Sequence, residues 1–299
     1  DRSPCYAFCC LLPRGSHATS LTVSTFSDLS SYASAGGHTV VINTDIDISS
    51  TITLSGVSTT VMSSTSAALS GGGSTRLFYL QSGAQITFTG VVLKSGSASS
   101  GGCVSMTGSS TFAAFHSSTF DGCTAGHGAG VYVSYGAKAE MVESKMTSCS
   151  VSGTGGGLYL NYYSKGTVVG STFEDMTAGH AGAIYASSSS RLEVSDSEFK
   201  SITYSGSGGG VYLTSYSRGV ISNSTFRDIT GGHAGGIYVY STSRLDLSGS
   251  LFKSISISGS GGGINLNYYS NASVVSSTFD NVKASSGGAF YVDTDSSLG

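Results

Sequence analysis

The chain has 299 residues, including 43 Gly, 2 Pro and no Trp, and only 10% of its residues are charged. This much glycine and serine would also suit a disordered linker, but 39% of the residues are hydrophobic. Because these recur in register, they supply a core that offsets the loss of chain entropy. The formal net charge of -3 argues against a nucleic-acid-binding surface. No apolar run approaches the roughly 18 residues of a membrane span.

The first twenty residues differ from the rest of the chain. Cys5, Cys9 and Cys10 lie close together there, without the spacing to histidine that a metal site requires. The string at 12–17, Leu-Pro-Arg-Gly-Ser-His, resembles a protease site from an expression tag. We therefore treat residues 1–20 as an N-terminal extension, processed or tag-like, that lies outside the fold.

Residues 21–37 have the pattern of an N-terminal cap. A short alternating segment is followed by apolar residues at helical spacing, which are Phe26, Leu29, Tyr32 and Ala33. Ser24 or Thr25 is available as the helix N-cap, and Gly36-Gly37 as its stop. We expect one or two turns of amphipathic helix that cover the apolar end of a stack of strands.

Short strands are predicted from residue 38 onward. Segments rich in β-branched residues are separated by Gly, Ser and Asp, and they span 38–43, 45–49, 51–55 and 59–62. Residues 77–80 and 85–93 continue this pattern less regularly. The repeats become regular from about residue 101.

The regular part repeats every 26 or 27 residues. Near copies of one block begin at Gly155 and Gly208, 53 positions apart, and a third begins at Gly261. One apolar row comprises Val131, Leu158, Ile184, Val211, Ile237 and Ile264. A second row follows 15 positions later and comprises Met146, Phe173, Phe199, Phe226, Phe252 and Phe279. A fixed short period with apolar residues in constant phase is typical of a solenoid.

Local alternation identifies the repeating elements as strands. Val211 and Leu213 lie two positions apart and share one face, while Tyr212 points to the other. Each repeat supplies about three short strands, and parallel crossovers are right-handed. The sequence thus predicts an all-β fold, a right-handed parallel β-helix of about ten coils over residues 38–299, with a short N-terminal capping helix.

Short motifs in the repeats resemble those of a known family. Gly-Gly-Ala-Phe at 287–290, Gly-Ala-Ile at 182–184, Gly-Gly-Ile at 235–237 and Ser-Thr-Phe before each turn are similar to the repeats of polymorphic outer membrane proteins. The resemblance covers roughly residues 70–299 and implies a β-helical surface adhesin. Where that family has Asn three residues after Phe, this chain has an apolar row of Cys123, Cys149, Met176, Ile202, Ile229, Ile255 and Val282.

Two cysteines of that row are candidates for a disulfide. Cys123 and Cys149 occupy equivalent positions on neighbouring coils, about 4.8 Å apart, within the Cα separation that a disulfide tolerates. A Cys123–Cys149 bridge and a pair of buried thiols are both open alternatives. Cys103 is assigned to the apolar row of Val131, and no other cysteine occupies an equivalent position of the repeat. A chain so rich in Ser and Thr favours an oxidising, extracellular location.

Two outward rows are candidate contact ladders. The basic row comprises Lys138, Lys165, Arg191, Arg218 and Arg244. It is either a solvated face that Glu140, Glu193 and Asp246 partly neutralise, or a cationic stripe for an acidic glycan or another subunit. The aromatic row comprises Tyr132, Tyr159, Tyr185, Tyr212 and Tyr238, with Tyr162, Tyr163, Tyr216, Tyr268 and Tyr269 nearby. It is either a structural ladder or a contact surface for sugars or a protein.

No catalytic, metal or cofactor site is predicted. His127, His180 and His233 recur on every second coil, about 10 Å apart, which is too far for one shared metal ion. Charged residues of the regular region belong to repeated rows and form no unique carboxylate cluster of the kind a glycosidase needs. Catalysis would have to use the irregular coils, where Asp45, Asp47 and Arg76 are the candidates.

Two N-glycosylation sequons begin at Asn223 and Asn271. Asn271 takes the place of the basic residue in its ladder and should point outward. Asn223 precedes an inward-facing Ser224 and is also expected to be accessible.

The last coil opens at Gly287 and the chain stops at Gly299. Either the sequence is part of a longer β-helix or successive copies stack head to tail, which would give a filament. The leading hypothesis is a non-enzymatic extracellular structural protein, a subunit of a cell-surface filament, coat or appendage. The alternative is an adhesin or glycan-binding surface protein, and a polysaccharide lyase or hydrolase is the third.

Overall fold

A computed structural model describes residues 19–293 and 295–299. Cys5, Cys9, Cys10 and the tag-like string lie outside the described residues. Over the described part of the chain there are one helix and 35 strands, and every strand pairing is parallel. The strands form three long sheets, named A, B and C here, which run side by side along the molecule.

Sheet A contains the first strand of each coil. In spatial order its strands are β1 (Thr19–Val23), β2 (His38–Ile42), β5 (Ser58–Met62), β8 (Gln85–Thr89), β12 (Phe112–His116), β16 (Lys138–Val142), β20 (Lys165–Val169), β23 (Arg191–Ser195), β26 (Arg218–Ser222), β29 (Arg244–Ser248), β32 (Asn271–Val275) and β35 (Ser297–Leu298). Residues 19 and 20, placed outside the fold by the sequence analysis, therefore belong to sheet A.

Sheet B contains the second strand of each coil. Its main path is β3 (Ile46–Asp47), β6 (Ala68–Ser70), β9 (Val92–Lys94), β13 (Thr119–Asp121), β17 (Lys145–Thr147), β21 (Thr172–His180), β24 (Glu198–Tyr204), β27 (Thr225–Gly231), β30 (Leu251–Ile257) and β33 (Thr278–Lys283). Beside this path pair β10 (Ser97–Ser100), β14 (Thr124–His127) and β18 (Ser150–Thr154).

Sheet C contains the third strand of each coil. Its strands are β4 (Ile52–Ser55), β7 (Phe78–Gln81), β11 (Val104–Thr107), β15 (Val131–Ser134), β19 (Leu158–Leu160), β22 (Ile184–Ala186), β25 (Val211–Leu213), β28 (Ile237–Tyr240), β31 (Ile264–Asn267) and β34 (Phe290–Val292). Its ten strands, one per coil, confirm the prediction of a right-handed parallel β-helix of about ten coils.

The predicted strands of the irregular coils are also present. The segment predicted at 85–93 is divided into β8 and β9 because Gly90 has a φ of +65°, a left-handed conformation that ends the strand and that glycine adopts at little cost.

The predicted capping helix, α1 (Phe26–Ala35), connects β1 to β2. Thr25 is its N-cap, since the Thr25 side chain accepts a hydrogen bond from the Asp28 backbone N–H at 3.2 Å. Gly36, with a φ of +74°, ends the helix. Leu29 and Ala33 are fully buried, and the helix packs on β2, β4 and β5. The predicted short helix near the N-terminus is confirmed.

The core is a continuous stack of side chains from all three sheets. The phenylalanine row of sheet B is its most regular part, with centroid distances of 5.1 Å for Phe173–Phe199, 4.6 Å for Phe199–Phe226 and 4.8 Å for Phe226–Phe252. These distances match the spacing of hydrogen-bonded strands. Each ring therefore contacts the equivalent ring of the coil above and the coil below.

A buried serine row joins sheet A to sheet B. The backbone N–H of each serine donates to the hydroxyl of the serine one coil on, at 3.1 Å from Ser144 to Ser171 and at 3.2 Å from Ser197 to Ser224. Each hydroxyl in turn donates to a carbonyl two residues back. These bonds satisfy polar groups that would otherwise be buried without partners, which explains the recurring Ser before Thr-Phe.

The predicted Cys123–Cys149 disulfide is wrong. Cys123 is bonded to Cys103, with a Cα–Cα distance of 6.0 Å, and Cys149 is a buried free thiol. The register pairs Val104, not Cys103, with Val131. Cys103 thus takes the position of Gly130, at the turn between sheets B and C, from which a side chain points into the core. There it meets Cys123 of the next coil, which follows the sheet B strand β13.

Candidate functional site

Between residues 124 and 270, fixed charges are confined to two of the three sides of the molecule. Six segments lack Asp, Glu, Lys and Arg entirely, and each runs from the end of a sheet B strand, through sheet C, to the start of sheet A. They are 124–137, 151–164, 176–190, 202–217, 229–243 and 254–270. Sheet C therefore presents an uncharged surface over six consecutive coils.

Tyrosine side chains cover that surface. One group lies in the outward row of sheet C, and it comprises Tyr79, Tyr132, Tyr159, Tyr185, Tyr212, Tyr238 and Tyr291. A second group lies at or next to the turn from sheet C to sheet A, and it comprises Tyr135, Tyr162, Tyr163, Tyr216, Tyr240, Tyr268 and Tyr269. We call the two groups together the tyrosine face. Among the described tyrosines, only Tyr32 and Tyr204 lie elsewhere.

The predicted row of sheet C is a ladder of rings in contact, in which Tyr185 and Tyr212 meet edge to face at 5.2 Å. Ring centroids are 5.1 Å apart for Tyr132–Tyr159, 4.8 Å for Tyr159–Tyr185 and 4.7 Å for Tyr212–Tyr238. The rings cover one another and are half-buried, so burial raises the pKa of the Tyr159, Tyr185 and Tyr212 hydroxyls and that of Tyr238 to about 12. This row has a structural role, and it also forms the floor of the tyrosine face.

The tyrosines of the C–A turn are much more exposed. Tyr163 has 75% of its surface accessible, Tyr216 69% and Tyr269 54%. All three have positive φ angles, as do their neighbours Tyr162 and Tyr268. Several of these residues were identified from the sequence. The absence of charge around them was not, although the spacing of the charged residues shows it.

The predicted basic ladder is present on sheet A and is partly neutralised. Its five members pair in register from Lys138 to Arg244. Lys165 bonds Glu193 at 2.8 Å, and Arg218 and Arg244 both bond Asp246, at 2.8 and 2.9 Å. These ion pairs favour the self-compensated alternative, and exposed pairs of this kind contribute little to stability.

Sheet B carries an ion-pair network that the sequence analysis missed. Glu174 is bonded by Lys145 and by Lys200, the latter at 2.8 Å. The network continues from Lys200 to Glu198 at 3.5 Å and from Glu198 to Arg227 at 2.7 Å. Its members flank the phenylalanine row on neighbouring coils. Positive and negative side chains alternate along this network, but the alternation is visible in the sequence only when successive coils are aligned.

We expect Glu174 to make stability depend on pH. Hydrogen bonds from Lys145 and then Lys200 lower the pKa of Glu174 from 4.5 to about 2. Because the folded-state pKa is below the unfolded one, the ionised group stabilises the fold above about pH 4.5, and this contribution is lost as the pH falls from there to about 2. Urea unfolding of Glu174→Gln should show a weaker pH dependence over this window than the wild type. If the free energy of unfolding changed equally with pH in Glu174→Gln and the wild type, the assignment would be contradicted. The matched control is Glu143→Gln, because Glu143 lies on an exposed turn.

The three repeated histidines do not converge. Thr154 lies between His127 and His180 in the register, and His233 pairs with Ser207. The histidines are thus two coils apart, as predicted. Within 19–293 and 295–299 no group of three His, Cys, Asp or Glu side chains is placed to hold a metal ion.

The alternative catalytic residues of the irregular coils have separate structural partners. Asp45 accepts a hydrogen bond from the Ala68 N–H at 2.8 Å and bonds Lys94 at 3.2 Å. The Arg76 guanidinium donates to the carbonyls of Ser100 and Gly101 at 2.8 and 3.1 Å. The structure therefore does not join Asp45 and Arg76 into one site.

Both sequon asparagines are exposed. Asn223 lies in the turn from sheet A to sheet B with a φ of +49°, and Asn271 continues the basic row of sheet A. The Asn271 amide oxygen accepts a hydrogen bond from Ser297 at 2.5 Å. The two side chains lie on the charged side of the molecule, away from the tyrosine face.

Comparison with known proteins identifies the fold at the level of a family. The model of a family described as "Right handed beta helix region" matches residues 102–279. No significant match was found among curated proteins or among solved structures. In the part of the chain that the structure describes, no helix has both the length and the hydrophobicity needed to cross a bilayer.

Proposed function

Since the chain belongs to the right-handed β-helix family, whose fold is shared by adhesins, lyases and hydrolases, we propose its function from its surface. The protein is a non-enzymatic, extracellular or cell-surface protein that binds neutral glycans along the tyrosine face. Its resemblance to the repeats of polymorphic outer membrane proteins supports a surface role of the adhesin type.

The observation that carries this proposal is the coincidence of tyrosine and absence of charge. A neutral sugar offers an apolar ring face and a rim of hydroxyl groups. Aromatic rings contact the apolar face of the sugar, while tyrosine hydroxyls and nearby amides form hydrogen bonds with its hydroxyl groups. Sites for small organic ligands generally combine aromatic walls with a few polar groups. The uncharged coils repeat this combination several times along one line, which suits a polymer of repeated units.

Backbone strain in the C–A turn supports the same conclusion. Tyr162 and Tyr163 both adopt left-handed conformations, with φ of +48° and +63°, and so do Tyr268 and Tyr269. This conformation costs about 1–2 kcal/mol for a residue with a side chain, and hairpin turns of this type normally use Asn or Gly. Ser188 and Ser189, and also Ser241 and Thr242, adopt the same pair of left-handed conformations on other coils. The turn therefore does not require tyrosine, which favours a role in binding for the exposed rings of Tyr163 and Tyr269.

The distribution of charged side chains on sheets A and B supports a non-enzymatic role. Charged side chains of the regular coils lie in repeated rows on sheets A and B, and several are neutralised in pairs. An open groove of about 370 Å³ on sheet A contains one carboxylate, that of Glu193, among Thr, Val and Ser side chains. Hydrolysis or elimination on a sugar requires an acid and a base on one site, which this groove lacks.

We expect the exposed tyrosines to dominate glycan affinity. The triple change Tyr163→Ser, Tyr216→Ser and Tyr269→Ser removes three accessible rings from one edge without touching the core. Affinity for the best ligand of a neutral glycan array should fall about 30-fold or more, the scale of about 2 kcal/mol lost at a binding hot spot. Isothermal titration calorimetry with that glycan measures the change.

The matched control is Tyr32→Ser. Tyr32 is also a surface tyrosine, but it lies on helix α1 away from the tyrosine face, so its loss should leave affinity unchanged. Equal affinity of the triple variant and the wild type would remove the tyrosine face from the proposal.

Self-assembly into a filament is the second candidate function. It is favoured by the uninterrupted register of the coils, since the phenylalanine and tyrosine rows repeat at a constant spacing that another copy could continue. Electron microscopy of the protein across a wide concentration range distinguishes the two. Filaments would support assembly, and isolated rods at every concentration would contradict it.

A further inference from the structure

The tyrosine ladder of sheet C has a gap at Asn265. The register of the strands places Asn265 directly between Tyr238 of the preceding coil and Tyr291 of the following one. In five consecutive coils before it, from Tyr132 to Tyr238, the same position carries a tyrosine. A ring is therefore missing between Tyr238 and Tyr291, as one also is at Ser105, between Tyr79 and Tyr132.

A cavity occupies this place. It has a volume of about 320 Å³ and is lined by His233, Tyr238, Asn265, Asn267, Tyr291 and Asp293, with Ser207 and Ser260. This volume lies within the roughly 300–1,000 Å³ of small-molecule sites. Polar side chains that can donate or accept hydrogen bonds surround the gap, and a tyrosine ring borders it on each side along the ladder.

Asn265 has an unused hydrogen-bond acceptor at this cavity. Its side chain is only 4% exposed, and its amide nitrogen donates to the Ser260 carbonyl at 2.9 Å. The amide oxygen of Asn265 accepts no hydrogen bond from any described residue. Buried acceptors normally have a partner. A rotation of the Asn265 amide that turns this shielded oxygen toward the cavity would let a hydroxyl group bound there satisfy it.

The spacing of the ladder defines what fits. Tyr238 and Tyr291 are two coils apart, or about 9.6 Å along the stack. A six-membered ring placed midway would lie about 4.8 Å from each tyrosine, a distance at which stacked rings are in contact. The intact ladder shows the same contact, at 4.7 Å for Tyr212–Tyr238.

We propose that this cavity binds one hexopyranose residue of a neutral glycan. The sugar ring takes the place of the missing tyrosine between Tyr238 and Tyr291, and one of its hydroxyl groups donates to the Asn265 amide oxygen. Asn267 and Asp293 lie on the rim, where further sugar hydroxyls can bond. This site rests on the proposed glycan-binding function and gives it a position, the primary subsite of the tyrosine face.

The test uses two substitutions at Asn265. Asn265→Tyr fills the gap with the residue that five earlier coils carry, so the variant should fold normally while the site is blocked. Asn265→Ala keeps the gap open and removes the acceptor, together with the amide N–H that donates to the Ser260 carbonyl. Ser105→Tyr is the matched control, because Ser105 occupies the same row between Tyr79 and Tyr132 and lies far from the cavity along the chain.

The probes are neutral hexasaccharides of glucose, mannose, galactose and N-acetylglucosamine, measured by calorimetry and saturation-transfer NMR on the full chain. For the probe that binds wild type best, we expect Asn265→Tyr to reduce affinity at least 100-fold and Asn265→Ala about tenfold, with Ser105→Tyr unchanged. Circular dichroism confirms that each variant is folded.

Two results would overturn the site, and they are distinguishable. If Asn265→Tyr binds as well as wild type while the Tyr163, Tyr216 and Tyr269 triple variant does not, the tyrosine face binds glycans but Asn265 is not the subsite. If wild type binds none of the hexasaccharides, the proposed function fails, and the subsite fails with it.

Discussion

Replacement of Phe226 by Ala should lower the free energy of unfolding by about 3–5 kcal/mol. Phe226 is fully buried at the middle of the phenylalanine row, with Phe199 at 4.6 Å on one side and Phe252 at 4.8 Å on the other. Removal of its ring loses the transfer free energy of the ring and leaves a cavity in the core. Both neighbours lose a stacking partner, so the core cannot close the gap by a local shift.

Equilibrium unfolding in urea measures this loss. Phe226→Leu, which keeps most of the volume, should cost much less, and Thr225→Ala is the matched control, because Thr225 is the adjacent residue on the outer face of the same strand. Each coil of a solenoid contacts only its neighbours. The coils on either side of Phe226→Ala can therefore unfold separately, which would divide the urea unfolding transition into two steps. A loss below about 1 kcal/mol would contradict a tightly packed phenylalanine row.

Removal of the Cys103–Cys123 disulfide should cost about 3 kcal/mol of stability. The bond closes a loop with a sequence separation of 20 residues, and in the chain-entropy account a loop of this length is worth roughly that amount. The double variant Cys103→Ala, Cys123→Ala should therefore unfold at lower urea. Treatment with dithiothreitol should weaken the wild type in the same way and leave the double variant unchanged.

Cys149→Ala is the matched control for the disulfide. The Cys149 thiol is buried and free, and burial raises its pKa to about 12, so it stays protonated and packs as a small apolar group. Its replacement should cost only about 1 kcal/mol, the scale of a small truncation in the core, and should preserve the response to dithiothreitol. If Cys149→Ala instead abolished that response, the disulfide would involve Cys149, as the spacing of the sequence first suggested.

The fold was predictable because one short repeat determines it. Phe173, Phe199 and Phe226 recur at 26 and 27 positions, and the same steps appear in the register of sheet B. A constant period requires each coil to place equivalent residues above one another, so the rows of the sequence become rows in space. Rows such as Lys138 to Arg244 and Tyr132 to Tyr238 were therefore located correctly.

The disulfide could not be predicted in the same way. A sequence row identifies equivalent positions on successive coils, but Cys103 and Cys123 occupy different positions of the repeat. Cys103 precedes a sheet C strand, and Cys123, on the next coil, follows a sheet B strand. Their contact depends on where the turn between sheets B and C places Cys103. Even with Cys103 set against Gly130 rather than Val131, the two cysteines fall in different rows, so the alignment of rows alone does not reveal their pairing.

The gap at Asn265 shows a second limit of the sequence. Asn265 follows five tyrosines in its row and is visible as an exception, but its unsatisfied amide oxygen and the cavity beside it depend on side-chain positions. The ion-pair network of sheet B was missed for a related reason. Lys145, Glu174 and Lys200 are far apart in sequence and meet only through the register.

The most direct test of the account is a glycan array that carries neutral and acidic glycans, probed with the intact protein at about 50 and 500 mM salt. Because the tyrosine face has no fixed charge over six coils, we predict binding to neutral glycans that changes little between these concentrations. Binding to acidic glycans alone, lost at the higher salt, would contradict the account and would assign the contact to the basic row of sheet A.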